Sequence, residues 1–161
     1  MKKIRTGFGF DVHRLVEGRA LWLGGIELDH TMGLLGHSDA DVLIHALCDA
    51  LLGAANMRDI GYHFPDTGAE FKNIDSKILL RQTMELLRGK GYELGNADIT
   101  IAAERPKLKP HIEQMQQVLA ETMGVDVEDL SIKATTTEKL GFTGREEGIL
   151  AYATVLIYQP E

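Results

Sequence analysis

Lys3-Ile4-Arg5-Thr6-Gly7-Phe8-Gly9-Phe10-Asp11-Val12-His13 alternates along its whole length. Ile4, Thr6, Phe8, Phe10 and Val12 fall on one side of an extended chain, and Arg5, Gly7, Gly9, Asp11 and His13 on the other. A period of two predicts a strand over residues 3–13 with one apolar face and one small, polar face. Asp11 and His13 then leave the strand on the same side, about 7 Å apart at the backbone.

Leu21–Leu28 reads as a second strand, or as a hairpin broken at Gly24-Gly25. The clearest helix covers about 39–55, opened by Ser38 with Asp41 in the position of a capping-box acid. Leu43, Leu47, Ala50, Leu51 and Ala54 make its apolar stripe, and Asp41, His45 and Asp49 fall opposite, one turn apart. Residues 56–74 form a long loop rich in breakers, a length that points to binding. Further helices are expected at about 75–89 and 110–123, the latter ended by Gly124. Strands are expected at about 96–104, 131–136 and 149–158.

The last strand is apolar on both faces and needs cover on both sides. The expected fold is α/β (α+β): one domain over residues 1–161, a mixed sheet and helices packed on one face. The bare sheet face would be the oligomer surface.

The bulk numbers set the class. A chain of 161 residues fits one domain, and 44% hydrophobic with 25% charged residues is ordinary for a soluble protein. The 17 glycines are scattered, which indicates tight turns and close approaches rather than disorder. A net charge of −7 argues against a general nucleic-acid-binding surface. Cys48 stands alone, so an intrachain disulfide is excluded. No apolar run reaches the ~18 residues of a spanning helix, and no secretory leader is recognisable. The expectation is a cytoplasmic protein without nucleic-acid or membrane partners.

Asp11, His13 and His45 form a candidate metal set. Two imidazoles and one carboxylate without thiolates suit Zn²⁺ with an open fourth position, and Asp49 could hold the far ring nitrogen of His45. Because imidazole must be neutral to ligate, metal loss is expected below a pH of about 6. The same donors suit a non-haem Fe(II) triad, or a structural metal in a non-enzymatic trimeric scaffold. Spacing leaves these open, and it does not bring residues 13 and 45 together. Lys133-Ala134-Thr135-Thr136-Thr137-Glu138-Lys139 follows a strand and offers hydroxyls, an acid and two lysines for phosphate and a hard cation. It is not a P-loop. Pro106-Lys107-Leu108-Lys109-Pro110 is a loop whose role is not deducible from its residues.

Several separated motifs resemble one family. Gly9–His13, Ser38-Asp39-Ala40-Asp41-Val42-Leu43-Ile44-His45 continuing to Gly53, Asp59-Ile60-Gly61 with Phe64-Pro65-Asp66, and Lys133 through Arg145 look like the 2-C-methyl-D-erythritol 2,4-cyclodiphosphate synthases. The resemblance covers essentially the whole chain. It implies zinc on Asp11, His13 and His45, and a second divalent ion, Mg²⁺ or Mn²⁺, on Glu138. It implies that His37 and Thr136 stabilise the reacting phosphates, with Ser38, Thr135 and Thr137 beside them.

The resemblance also assigns Asp59, Ile60, Gly61, Phe64, Pro65, Asp66, Thr67 and Gly68 to the methylerythritol phosphate portion. Ala103 to Lys109, with Lys107 and Leu108 among them, would form the cytosine pocket. Phe142 and Arg145 would end the binding segment, and Arg145 and Glu147 would line a central cavity. A homotrimer with sites between subunits and with the sheets facing its centre is implied. So is the reaction, in which a tethered 2-phosphate attacks the β-phosphorus of a CDP-alcohol, CMP leaves, and no protein nucleophile is needed. Glu146 departs from the pattern, standing where such chains commonly carry glycine.

Overall fold

A computed structural model describes residues 3–65 and 73–161. Its strands are β1 (Ile4–Glu17), β2 (Leu21–Leu23), β3 (Ile26–Leu28), β4 (Met32–Leu34), β5 (Glu93–Ala102), β6 (Leu130–Thr135) and β7 (Gly148–Tyr158). Its helices are α1 (Val42–Ala54), α2 (Ile60–His63), α3 (Ser76–Gly89), α4 (Ile112–Met123) and α5 (Gly141–Gly144).

The alternation that opens the chain makes β1, which runs four residues past the expected end. It pairs antiparallel with β7 from Ile4 opposite Tyr158 to Arg14 opposite Gly148. The five-stranded sheet has the order β4-β1-β7-β5-β6 and is mixed, because only β5 and β6 run parallel. Helix α1 lies across β1 and β7, and α3 packs on α1.

Two glycines allow that crossing. A Cβ on Gly9 would fall 1.9 Å from the Ala46 carbonyl oxygen, and one on Gly7 would fall 1.9 Å from that of Ala50. The Ala46–Ala50–Ala54 row of α1 therefore rests directly on the β1 backbone. The small, polar face of β1 is the covered one, and its apolar face is open. Phe8 is 64% exposed there, beside Ile4, Phe10, Val12 and Tyr152. Ile149, Ala151, Ala153, Val155 and Ile157 cover the α1 side of β7, so half of that strand's apolar surface has partners within the chain.

One open alternative is decided, and two expectations need correction. Residues 21–28 are a hairpin, because Gly24 (φ 62) and Gly25 (φ 78) both take the positive φ of a tight reversal. The α1 N-cap is Asp41 rather than Ser38: its carboxylate accepts from Ile44 N (3.1 Å), Gly24 N (3.0 Å) and Gly25 N (2.7 Å). The hairpin thus supplies donors that sequence spacing does not reveal, and Asp41 is fully buried rather than on an outer face. The short elements β4, α2 and α5 were not expected. They are too brief to show a period.

Candidate metal centre and the two binding pockets

Helix α1 brings His45 over the Asp11–His13 edge of β1. His13 Nε2 is 2.9 Å from Asp11 Oδ2, His45 Nδ1 is 3.1 Å from the same oxygen, and the two ring nitrogens are 3.1 Å apart. Donors on a tetrahedral Zn²⁺ with bonds of ~2.0 Å stand roughly 3.3 Å apart, so the triangle fits such an ion closely. Among the described residues this is the one group of three or more His, Cys, Asp or Glu side chains with metal-binding spacing.

The far ring nitrogens fix the tautomers. His13 Nδ1 lies 2.7 Å from the Leu35 carbonyl, which can only accept, so Nδ1 carries hydrogen. Nε2 of His45 lies 3.1 Å from both the Ser38 and Ser76 hydroxyls. Ser76 donates its own hydrogen to Asp39 in a short bond, which leaves its oxygen to accept from His45 Nε2. In their neutral forms both imidazoles therefore aim bare lone pairs at a carboxylate oxygen. Three electron-rich atoms at this range require a cation between them, or a proton.

The electrostatics agree. Burial raises the Asp11 pKa, but hydrogen bonds from His13 and His45 outweigh it and hold it at about 2. Burial lowers that of His13, and the Asp11 hydrogen bond and charge, with the Leu35 carbonyl, outweigh it and raise it above 6.5. Asp49 does not hold His45 as expected. Its carboxylate accepts from Ile60 N (2.7 Å) and so ties α2 to α1. Burial raises its pKa. The residues that do hold His45, Ser38 and Ser76, the latter anchored by Asp39, were missed in that role, because no local pattern links position 45 to position 76.

Beside the triad is a cavity of about 280 Å³, lined by His13, His37, Ser38, His45, Ile60, Gly61, Phe64, Ile74 and Leu79. Asp59 caps α2 by accepting from Tyr62 N. Pro65 follows Phe64 at the edge of the described chain, and Asp66, Thr67 and Gly68 lie outside the described residues. Arg19 donates to the Ser38 carbonyl (2.8 Å) and Asn73 N to that of His37 (2.7 Å), which hold the loop before α1.

A second cavity, of about 230 Å³, gathers Ala103, Lys107, Leu108 and Lys109 with Thr135 and Thr136. Thr137 Oγ1 reaches the Leu140 carbonyl and Thr143, and Glu138 accepts from Thr136 Oγ1 (3.2 Å). Phe142 lies on α5, and Arg145, the α5 C-cap, pairs with Glu147 (2.8 Å). Glu146 has φ 58, in the left-handed region where glycine is unstrained, and its carboxylate is 3.7 Å from Arg105 Nε. The two cavities share no lining residue. By register, Asp11 faces Ala151, Ala151 faces Ile101, and Ile101 faces Ala134. Three strand spacings, roughly 14 Å, thus separate the triad strand from the threonine strand within one chain.

Fold and triad together define an α/β protein with a three-donor site suited to a divalent metal. The chain belongs to the YgbB family, which it matches over residues 4–158. It is 78% identical to the 2-C-methyl-D-erythritol 2,4-cyclodiphosphate synthase of Bacteroides fragilis, over 96% of this chain and 98% of that one. Its fold superposes on the bifunctional IspDF of Campylobacter jejuni with TM-score 0.96 and 47% identity, covering all of this chain and 44% of that longer one. It also matches the IspF–CDP complex of Plasmodium falciparum, with TM-score 0.87 and 32% identity over 100% and 99% of the two chains.

Proposed function

We propose that this chain converts 4-CDP-2-C-methyl-D-erythritol 2-phosphate to 2-C-methyl-D-erythritol 2,4-cyclodiphosphate and CMP, a step of non-mevalonate isoprenoid-precursor synthesis. The observation that carries the activity is the 78% identity to a synthase of that name over nearly the whole of both chains. Residues 1–161 act as one synthase domain.

An oxygen of the tethered 2-phosphate forms a bond to the β-phosphorus. The bond from that phosphorus to the bridging oxygen breaks, and CMP departs with the electron pair. The obstacle is the approach of one anion to another. Bound Zn²⁺ on Asp11, His13 and His45, and Mg²⁺ or Mn²⁺ on Glu138, supply Lewis acidity and charge neutralisation at the diphosphate. His37 and Thr136 donate hydrogen bonds to phosphate oxygens, with Ser38, Thr135 and Thr137 alongside. Asp59 to Gly61 and Phe64 to Gly68 hold the methylerythritol portion. Ala103, Lys107, Leu108 and Lys109 hold cytosine, and Phe142 and Arg145 close the segment. The nucleophile is already part of the substrate, so the protein's task is to fold that chain back and orient it.

The assembly proposed is a homotrimer with sites between subunits. The roughly 14 Å between the triad strand and the threonine strand of one chain supports this reading, in which the two half-sites come from neighbouring copies. The open face of β1 and β7, with Phe8, Phe10 and Tyr152, supplies an apolar surface to bury at the centre. No helix among the described residues is long and apolar enough to cross a membrane. The cytoplasm is the proposed location.

The test is CMP release from the CDP-linked substrate, followed by ³¹P NMR. His45→Ala is expected to lose zinc and at least about 100-fold in turnover, the scale of a lost key electrostatic element. Absence of cyclic diphosphate from the metal-loaded native protein would refute the activity, and normal turnover of a verified zinc-free variant would refute the role of His45.

A further inference from the structure

After β6 the backbone turns through Thr136–Leu140 with two consecutive non-glycine residues in the left-handed region, Glu138 (φ 53) and Lys139 (φ 63). Each costs about 1 kcal/mol or more against ordinary backbone, so the turn has to be held. From within, Leu140 N donates to the Thr137 carbonyl (2.9 Å), and the Thr137 hydroxyl donates to that of Leu140 (2.7 Å). From behind, α5 presses so close that a Cβ on Gly144 would lie 2.1 Å from the Lys139 carbonyl carbon. The remaining grip comes from another part of the chain. One carboxylate oxygen of Glu104, Oε1, accepts from Thr137 N (3.1 Å) and from Lys139 N (3.0 Å). Those two amides flank Glu138.

Glu104 also stands in the loop after β5, between Ala103 and the Pro106–Lys109 stretch, and it lines the same cavity as Thr135 and Thr136. Its backbone belongs to the base-pocket loop, while its side chain clamps the loop that carries Thr136 and Glu138. We infer that Glu104 is a positioning residue that makes these two loops one unit, so that a nucleoside diphosphate meets its base pocket and its cation-binding carboxylate in one fixed relation. Charge-assisted bonds to backbone amides are strong enough for that purpose. The inference rests on the reading of Glu138 as holder of the second cation.

Calorimetric titration of the zinc-loaded protein with CDP and with CMP, each with and without Mg²⁺, tests it. In Glu104→Ala the gain in CDP affinity on adding Mg²⁺ should shrink about 10-fold, while CMP affinity without Mg²⁺ stays within about threefold, as expected for losing one charge-assisted anchor. Glu104→Gln keeps an acceptor oxygen at the same reach and should retain the gain. Glu104→Asp is a methylene too short and should lose it, and it decides the matter if the alanine variant does not fold. Glu138→Gln is the control. If it keeps the Mg²⁺ gain, the second-cation reading fails and takes this inference with it. If it abolishes the gain while the Asp and Ala variants at 104 keep it, or if Gln and Ala lose it equally, the role of Glu104 alone is overturned.

Discussion

The hydroxyl of Ser76 lies 3.1 Å from Nε2 of His45, across 31 residues of sequence. Ser76 N also donates to Asp39 Oδ2 (2.9 Å), and its hydroxyl donates to Oδ1 of the same carboxylate. The start of α3 is thereby pinned to the loop before α1, and the far side of a metal ligand is held by the same pin. Ser76→Ala removes the hydroxyl and keeps the backbone bond. The zinc dissociation constant should rise about 10-fold or more, the usual scale for losing a partner of a ligating histidine. Competition with a chromophoric chelator measures it, and an unchanged constant would show that Ser38 alone suffices.

Gly9 sets the height of α1 above β1. In Gly9→Ala the new methyl carbon would stand 1.9 Å from the Ala46 carbonyl oxygen, which the rigid backbone on both sides cannot relieve by a rotamer change. The unfolding free energy should fall by at least about 2 kcal/mol, as in other overpacked cores. Urea denaturation reads this directly. Metal affinity should weaken too, because His45 rides on the displaced helix.

Metal binding should depend on pH in a stated direction. The His13 pKa is raised above 6.5 in the metal-free protein, so its proton contributes stability that is full at pH values below 6.5 and is lost as pH rises through the raised pKa. Asp11, lowered from 3.8 to about 2, contributes stability above pH 3.8 that is lost as pH falls through about 2. A metal ion must displace the His13 proton. Zinc affinity should therefore climb with pH until that raised pKa is passed, then level off, with the decline beginning above the pH of about 6 expected for an unperturbed imidazole. Dissociation constants measured from pH 5 to 8.5 provide the check, and a profile flat from 6 to 8 contradicts it.

The exposed aromatic group of the sheet should be an assembly contact. The Phe10 and Tyr152 rings lie 5.3 Å apart, the Phe8 and Tyr152 rings 6.1 Å apart, and all three side chains face outward. Phe10→Glu places a charge where three copies would meet. Sedimentation velocity should show a trimer for the native chain and smaller species for the variant, with turnover falling and secondary structure retained. A monomeric native protein with full turnover would rule out shared sites.

Some of this architecture was readable because it is periodic. Strand β1 follows from alternation, β7 from an apolar run between breakers, and α3 and α4 from recognisable helix ends. Asp11 and His13 share a face because the strand period is two, which is a property of the chain within three residues. The meeting of His45 with them was not readable in that way. It depends on how closely α1 crosses β1 at Gly7 and Gly9, a distance set by backbone contact between elements far apart in sequence.

The same holds for Asp41, whose capping role is completed by amides from the β2–β3 hairpin, for Ser76 behind His45, and for Glu104 behind the Thr136–Lys139 turn. Local patterning records which face of an element is buried, because each residue carries that preference on its own side chain. Which buried groups then touch is a matter of how the elements pack, and no residue encodes it alone.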